Sequence, residues 1–260
     1  FVEHDLEEIY NNLIELIKKA AEIAPDPQLI SITNQRETFT LFDKLTGKPV
    51  RNAVVWQCTR GEEICEKILK NKDHSELITQ KTGLKANTFF SASKLKWVIE
   101  NEPHIKEGLI KGNILFGTID TYLLYRLTYC KEYVTDTTNA SRTLLFNCID
   151  NSWDNELFSI FEIEQFELAN VKSSSSNFGS SNFENSFLKE IPISGVAGDA
   201  QASLFANLCF NPGDSKITTG TGFNIQTNIG TSFKIDTNAF TTLAFSHNKK
   251  NYYSLECLGS

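Results

Sequence analysis

Residues 193–206 read ISGVAGDAQASLFA, and this stretch decides how the rest of the chain is interpreted. Ile193–Val196 is a short apolar run, typical of a buried strand, that leads into Gly198. Ala200–Ala206 favours a helix. Asp199 therefore lies where a strand gives way to a helix, and a carboxylate at that point either caps the helix or faces a reactant.

The bulk composition excludes several classes of protein. The chain has 260 residues, of which 40% are hydrophobic and 22% charged, as in an ordinary globular protein. Its formal net charge of −7 argues against nucleic acid or an anionic membrane as the main partner, because both are bound by basic faces. No apolar run is long enough for a membrane span and no signal peptide is evident. Six scattered cysteines without a C-x-x-C pair predict reduced thiols and a cytoplasmic protein.

Apolar spacing predicts an alternation of helices and strands. A helix is expected from Asp5, whose side chain resembles an N-cap, to Pro25. Further helices are predicted at 59–72, 91–101 and 118–127, and strands at 29–33, 38–43, 53–57 and 142–146. The Ser/Asn-rich segment 172–187 is typical of a mobile loop. Three strand-like runs follow, at 217–230, 241–248 and 251–257, and indicate that a second domain begins near residue 208.

Several polar residues at strand ends could carry chemistry, and each has a plainer alternative. Arg36 and Glu37 could donate to and accept from a polyhydroxyl ligand, although a surface ion pair in a turn is as simple. Trp56 either covers a pocket or packs in the core. Lys94 is interpreted as part of a solvated helix face. The TTGTGFN run at 218–224 either cradles phosphate or forms a hairpin turn.

Read together and in order, eight stretches resemble the glycerol kinase branch of the FGGY carbohydrate kinase family. They are FVEHD (1–5), ITNQRET (32–38), DKLTGKPVRNAVVWQCTR (43–60), FFSASKLKW (89–97), GTIDTYLLYRLT (117–128), VTDTTNASRTLLFN (134–147), AGDAQASLF (197–205) and NPGDSKITTGTG (211–222). Several long blocks in a fixed order are far more specific than any single motif.

The resemblance implies an α/β, actin/hexokinase-like fold, in which two ribonuclease-H-like domains close over ATP, Mg²⁺ and a polyol. Residues 1–208 would form the N-terminal substrate-binding domain, incomplete at its start. Residues 209–260 would begin the C-terminal nucleotide-binding domain. The chain contains no methionine, and the family's Asp-x-Gly-Thr loop would precede Phe1. We therefore expect a fragment that does not bind ATP productively by itself, with the oligomeric state, including a homo-oligomer, left open.

The resemblance also implies a reaction, the ATP-dependent phosphorylation of glycerol to sn-glycerol 3-phosphate. Asp199 matches the catalytic base, which could also contact Mg²⁺ indirectly. Gly220 and Thr221 match the loop near the nucleotide phosphates. Four residues match the substrate-binding positions: Arg36, Glu37, Trp56 and Phe89.

The chain departs from the family pattern at three positions. Phe89 replaces a usual tyrosine, Ala200 replaces a glutamine, and Asn224 stands where an aromatic residue is usual, unless a shifted register brings Phe223 there. These changes remove hydrogen bonds or apolar cover that a glycerol pocket would use. Two alternatives therefore stay open: a kinase for another polyol or sugar, and an inactive family member or fragment that acts as a binding module.

Overall fold

The computed structural model describes residues 1–219, 223–247 and 250–259, with the backbone alone at 258 and 259. Its helices are α1 (Leu6–Ile23), α2 (Glu62–Lys70), α3 (Lys72–Thr82), α4 (Ser91–Asn101), α5 (Pro103–Ile110), α6 (Ile119–Leu127), α7 (Thr137–Ala140), α8 (Asn155–Ile160) and α9 (Asp199–Ala206). Its strands are β1 (Glu3–His4), β2 (Ile30–Asn34), β3 (Phe39–Asp43), β4 (Ala53–Val54), β5 (Ile114–Thr118), β6 (Val134–Asp136), β7 (Phe146–Asn147), β8 (Ser152–Trp153), β9 (Asn170–Lys172), β10 (Ser180–Ser181), β11 (Ile191–Gly198), β12 (Ser215–Thr219), β13 (Phe223–Gly230), β14 (Phe240–His247) and β15 (Lys250–Gly259). Within this part of the chain, no helix combines the length and apolarity needed to cross a bilayer.

The first helix shows why local sequence signals succeed. Asp5 Oδ1 accepts the N–H groups of Glu7 at 2.8 Å and Glu8 at 3.2 Å, which satisfies two donors that the helix itself leaves free. Leu6, Tyr10 and Ile14 recur at helical spacing and are buried. The predicted helix is confirmed.

The parallel pairing of β2 with β11 places the candidate residues. Ile32 lies opposite Val196, and Asn34 opposite Gly198, so both strands end at the same edge. The segments that follow them, with Arg36 after β2 and Asp199 after β11, therefore emerge side by side. This is the arrangement in which α/β proteins place ligands, beyond the carboxyl ends of parallel strands.

The C-terminal strands form an antiparallel sheet in the order β12-β13-β15-β14, and β14 packs against α7 and α9. Lys216 pairs with Gln226, and Gln226 pairs with Glu256, so these three residues form one row across the sheet. A row of cross-strand partners shares a face, which here is polar. The domain boundary at 208/209 stays a prediction.

Two sequence interpretations need correction. The strand expected at 142–146 is wrong, because residues 141–145 form turns and β7 begins only at Phe146. Leu144 has a φ of +63°, and buried Arg142 turns towards carboxylates, so the apolar run is buried without being extended. The Ser/Asn-rich segment 172–187 is packed onto the domain by three buried rings: Phe178, Phe183 and Phe187.

Candidate active site

Arg36 and Glu37 lie in a tight turn between β2 and β3. The Thr38 N–H donates to the Arg36 carbonyl at 2.7 Å, and Glu37 has a φ of +62°. A three-residue turn with positive φ is rare and strained, and such strain is found preferentially at functional sites. Arg36 is 6% exposed and Glu37 2% exposed, so the surface-pair alternative is wrong.

Gly198 explains why β11 ends in a glycine. A Cβ at this position would lie 2.5 Å from Arg36 Cγ and 2.6 Å from Arg36 Cδ. The absence of a side chain therefore lets the Arg36 stem lie against the end of β11. The Gly198 N–H donates to Thr138 Oγ1 at 2.9 Å, which fixes the backbone immediately before Asp199.

Asp199 is the first residue of α9, and its side chain does not cap the helix. The N-cap is Gly198, and no side-chain capping bond is formed there. Asp199 Oδ1 lies 3.4 Å from Arg36 Nε, and the Asp199 side chain is 60% exposed while that of Arg36 is 7% exposed. The carboxylate thus lies on the open side of a buried guanidinium, and the capping alternative is wrong, whereas a role facing a reactant stays a prediction.

A buried four-charge cluster, made of Arg36, Glu37, Arg142 and Glu256, supports this turn. Glu256 Oε1 accepts from Arg36 Nη1 at 2.9 Å, and Glu37 Oε1 accepts from Arg142 Nε at 2.6 Å. Arg142 Nη1 lies 2.7 Å from Glu256 Oε2, an ion pair that lacks hydrogen-bond alignment. Because the signs alternate around the four-charge cluster, each buried charge has an opposite neighbour.

Two members of the four-charge cluster, Arg36 and Glu256, have pKa values that keep them ionised. Burial opposes the charge on Arg36, yet the carboxylates of Glu256, Glu37 and Asp199 raise the pKa of Arg36. Burial likewise favours neutral Glu256, but Arg142, Arg36 and a hydrogen bond from Asn224 hold the pKa of Glu256 well below its usual range. Both groups are therefore charged at neutral pH.

Trp56 and Phe89 form an aromatic pair beside the turn. Their ring centroids are 5.0 Å apart with an interplanar angle of 55°, and both side chains are half-buried. The main-chain N–H of Trp56 donates to Thr38 Oγ1 at 3.2 Å, and Ser91 Oγ donates to the Glu37 carbonyl at 2.8 Å. These bonds tie the Trp56 main chain and the start of α4 to the turn, and the Asp199 carboxylate lies against Arg36 of the same turn.

The C-terminal sheet contributes the far side of the four-charge cluster. Asn224 Nδ2 donates to Glu256 Oε1 at 2.6 Å, and the buried Asn224 Oδ1 has no hydrogen-bond partner in the described part of the chain. Gln201, one residue after Ala200, accepts from Arg36 Nη1 at 3.3 Å. The predicted nucleotide residues Gly220 and Thr221 lie outside the described residues.

Sequence reasoning missed three charged residues. Glu256 and Arg142 lie within apolar runs, YYSLEC and RTLLF, and a single charge in such a run is a signal for a buried ionic partner. Lys94 is fully buried, so its assignment to a solvated helix face is wrong. Its amine donates to three main-chain carbonyls, which the helical spacing of α4 does not reveal.

The model of the N-terminal domain of the FGGY family of carbohydrate kinases matches residues 1–206. The chain belongs to this family. The FGGY chain is 45% identical to glycerol kinase 2 of Thermotoga maritima and 46% identical to the glycerol kinase of Thermococcus onnurineus, in each case over 98% of its own length and 52% of the relative's. It thus spans about half the length of these curated relatives.

Solved structures agree on the fold of the FGGY chain. It matches the crystal structure of Plasmodium falciparum glycerol kinase with ADP at a TM-score of 0.93 and 37% identity, over 98% of this chain and 52% of that one. A ligand-bound xylulose kinase from Lactobacillus acidophilus matches at a TM-score of 0.82 and 21% identity, over 98% and 51%, and shows the fold alone. The α/β, actin/hexokinase-like prediction is confirmed.

Proposed function

We propose that the FGGY chain carries the polyol-binding part of a glycerol kinase, which transfers the γ-phosphoryl group of ATP to a terminal hydroxyl of glycerol and gives sn-glycerol 3-phosphate. One observation carries the proposal: the exposed Asp199 carboxylate lies 3.4 Å from the buried Arg36 of the strained turn. The similarity to glycerol kinases over 98% of the chain supports the choice of substrate.

Asp199 is the proposed general base. Its carboxylate is exposed and free of a capping bond, so it can accept the proton of a bound hydroxyl while that oxygen attacks the phosphoryl group. Because α9 and β11 hold its backbone, the carboxylate needs little reorganisation to act. A positioned base of this kind contributes about 10²–10⁴-fold in rate.

Arg36, Glu37, Trp56 and Phe89 are the proposed glycerol-binding residues. The guanidinium of Arg36 would donate to one hydroxyl and the carboxylate of Glu37 would accept from another. The two aromatic rings would cover the carbon chain. Arg142 and Glu256 keep the polar pair in place, since each binds one member of it.

The nucleotide side of the proposal concerns the C-terminal residues. We place the polyol domain at 1–208 and the start of the nucleotide domain at 209–260, with Gly220 and Thr221 near the phosphates. The ADP in the Plasmodium relative supports nucleotide use.

Mg²⁺ in such sites binds one or two carboxylates together with phosphates and water, and neutralises charge on the transferred group. Exposed Asp199 fits an indirect contact to it. The described residues contain no cluster of three or more metal-binding side chains. We further propose a cytoplasmic location.

Asn224 favours a second candidate, a kinase for a larger polyol or a sugar. Among the residues that the structure describes, its buried Oδ1 atom has no hydrogen-bond partner, and Asn224 is linked through Glu256 to Arg36. An additional substrate hydroxyl could donate to that oxygen. Glycerol has no spare hydroxyl for this bond, because two would bind Arg36 and Glu37 and the third would attack the phosphoryl group. Comparison of kcat/KM across glycerol, longer polyols and ketoses separates the two candidates, and a clear preference for glycerol excludes the second.

The central experiment measures ATP-dependent formation of glycerol 3-phosphate by the native protein at its full natural length. Asp199→Asn is expected to lower kcat by at least about 100-fold while glycerol binding persists. Asp26→Asn, at an exposed carboxylate paired with Lys189, is the matched control and should leave kcat unchanged. Equal rates for Asp199→Asn and the wild type contradict the proposal.

A further inference from the structure

Lys94 is a buried cation with an unusual set of partners. Its side chain is fully buried in α4, and Nζ donates to the main-chain carbonyls of Thr88 at 2.6 Å, Phe89 at 2.9 Å and Trp56 at 3.4 Å. Within the described part of the chain, no carboxylate forms an ion pair with it. The hydrogen-bond acceptors of its amine are therefore three neutral carbonyl oxygens, and the Glu37 carboxylate acts on it only at longer range.

A buried ammonium without a counter-ion is costly, so its presence needs a compensating contact. An ammonium group has three N–H donors and no acceptor, and here three carbonyls converge on it. Methionine has a similar volume and no charge, but it would take the Nζ donor away from all three carbonyls. The three-to-three match is the feature that lysine alone supplies at this position.

We infer that Lys94 is a positioning residue that fixes the Trp56–Phe89 pair, the aromatic side of the proposed glycerol site. Two of its three acceptors are the carbonyls of these very residues. Trp56 follows β4 and Phe89 precedes α4, so the amine ties together two separate segments of chain. The inference rests on the proposed function, because the aromatic pair matters for kinetics only if it contacts the substrate.

The titration of Lys94 gives the inference a pH signature. Burial lowers the pKa of Lys94 to about 8, and the Arg60 guanidinium adds to this shift, whereas the Glu37 carboxylate opposes it; the titratable thiols of Cys58 and Cys65 also lie near the amine. The neutral amine keeps two of its three hydrogens, so one carbonyl loses its donor above that pH. The aromatic pair should then be held less firmly, and KM for the polyol should rise.

The test compares two lysines two positions apart on α4 in the native protein at full length. Lys94→Gln is expected to raise KM for glycerol about tenfold while kcat changes by less than about twofold, because Asp199 is held by other elements. Lys96→Gln is the control, since Lys96 pairs with Glu100 and Glu162 and binds neither ring-bearing segment. A loss of kcat at constant KM in Lys94→Gln, or no change in either, overturns the inference.

The pH profile tests the same point without depending on the fold of a variant. Wild-type KM should rise above about pH 8 at constant kcat, Cys58→Ser should keep that rise, and Lys94→Gln should lack it. A flat wild-type KM, or a rise that persists in Lys94→Gln, overturns the inference.

A failure of the proposed function can be distinguished from a failure of the inference about Lys94. If the native protein phosphorylates no polyol, near-UV circular dichroism still reports the aromatic pair. A Trp56-dependent change above pH 8 that Lys94→Gln abolishes supports positioning by Lys94, and its absence from the wild type contradicts it.

Discussion

Arg36 Nη1 lies 2.9 Å from Glu256 Oε1, so the turn after β2 is bonded directly to a strand 220 residues later in the chain. Arg36 also faces Asp199, the proposed base, at 3.4 Å. The orientation of the polar side of the site therefore depends on β15 as well as on β2 and β11. Variants of these residues can therefore be compared by two measurements, the free energy of unfolding and the kinetics of the reaction.

Glu256→Gln should destabilise the protein strongly. The amide cannot balance Arg36 and Arg142, and breaking one member of a buried ionic network costs about 3–5 kcal/mol. Denaturant unfolding of the native protein measures the loss in free energy of unfolding. Glu15→Gln, which breaks the exposed pair with Lys19, should leave the midpoint unchanged. A similar loss in both variants would show that the four-charge cluster contributes no more to the free energy of unfolding than an exposed ion pair does.

The position of Asp199 could be predicted from the sequence, whereas the role of Glu256 could not. A strand end, a glycine and a helix start are local signals, and the parallel pairing of β2 with β11 then brings Arg36 and Asp199 to one edge. The Arg36–Glu256 pair depends on how the C-terminal sheet docks, which no local pattern records. Strand alternation places Glu256 on a face but does not identify the facing element.

Phe89→Tyr should improve the use of glycerol if the ring covers the substrate. Phe89 is half-buried against Trp56, and a phenolic hydroxyl adds a hydrogen-bonding group at the ring edge. One such bond is worth about 0.5–1.5 kcal/mol, which corresponds to a fall in KM of about 2- to 12-fold. Steady-state kinetics with glycerol measure it. Phe89→Leu removes the ring contact and should raise KM, and a raised KM in Phe89→Tyr would mean that the ring edge faces protein.

Lys94 and the run at 142–146 show a second limit of sequence reasoning. Helical spacing assigns a face to a lysine, but it cannot show that loop carbonyls from two segments converge there. Apolar composition predicts burial at 142–146 correctly, yet burial does not require a strand. In both cases tertiary contacts decide the outcome after local propensity has been satisfied.

Asp120 should contribute to the free energy of unfolding at low pH and lose that contribution as the pH rises. Burial, together with Asp136, raises the pKa of Asp120 to about 7, so the folded state binds its proton more tightly than the unfolded state does. The stabilisation is complete below about pH 4, where the unfolded carboxyl titrates, and is lost as the pH rises through 7. Relative to Asp120→Asn, the wild type should therefore lose free energy of unfolding between these pH values.

Asp43→Asn is the control of opposite sign for that titration. Hydrogen bonds from the Thr46 hydroxyl and N–H lower the pKa of Asp43, so its contribution is present above the unfolded pKa and is lost in acid. Urea unfolding at several pH values compares the two slopes. Slopes of the same sign for Asp120→Asn and Asp43→Asn would contradict the assignment of a neutral buried Asp120.

Thr138→Val should impair catalysis through the backbone of β11. The Gly198 N–H donates to Thr138 Oγ1 at 2.9 Å, and the Thr138 hydroxyl donates to the Asp136 carboxylate at 2.8 Å. Valine keeps the shape but offers no acceptor, so the residue before Asp199 loses its anchor. We expect kcat to fall about tenfold with KM for glycerol within about twofold of the wild type, as measured by steady-state kinetics. Thr138→Ser retains the hydroxyl and should retain kcat. Equal loss in both variants would assign the effect to the methyl group, and full activity in Thr138→Val would show that this bond does not position the base.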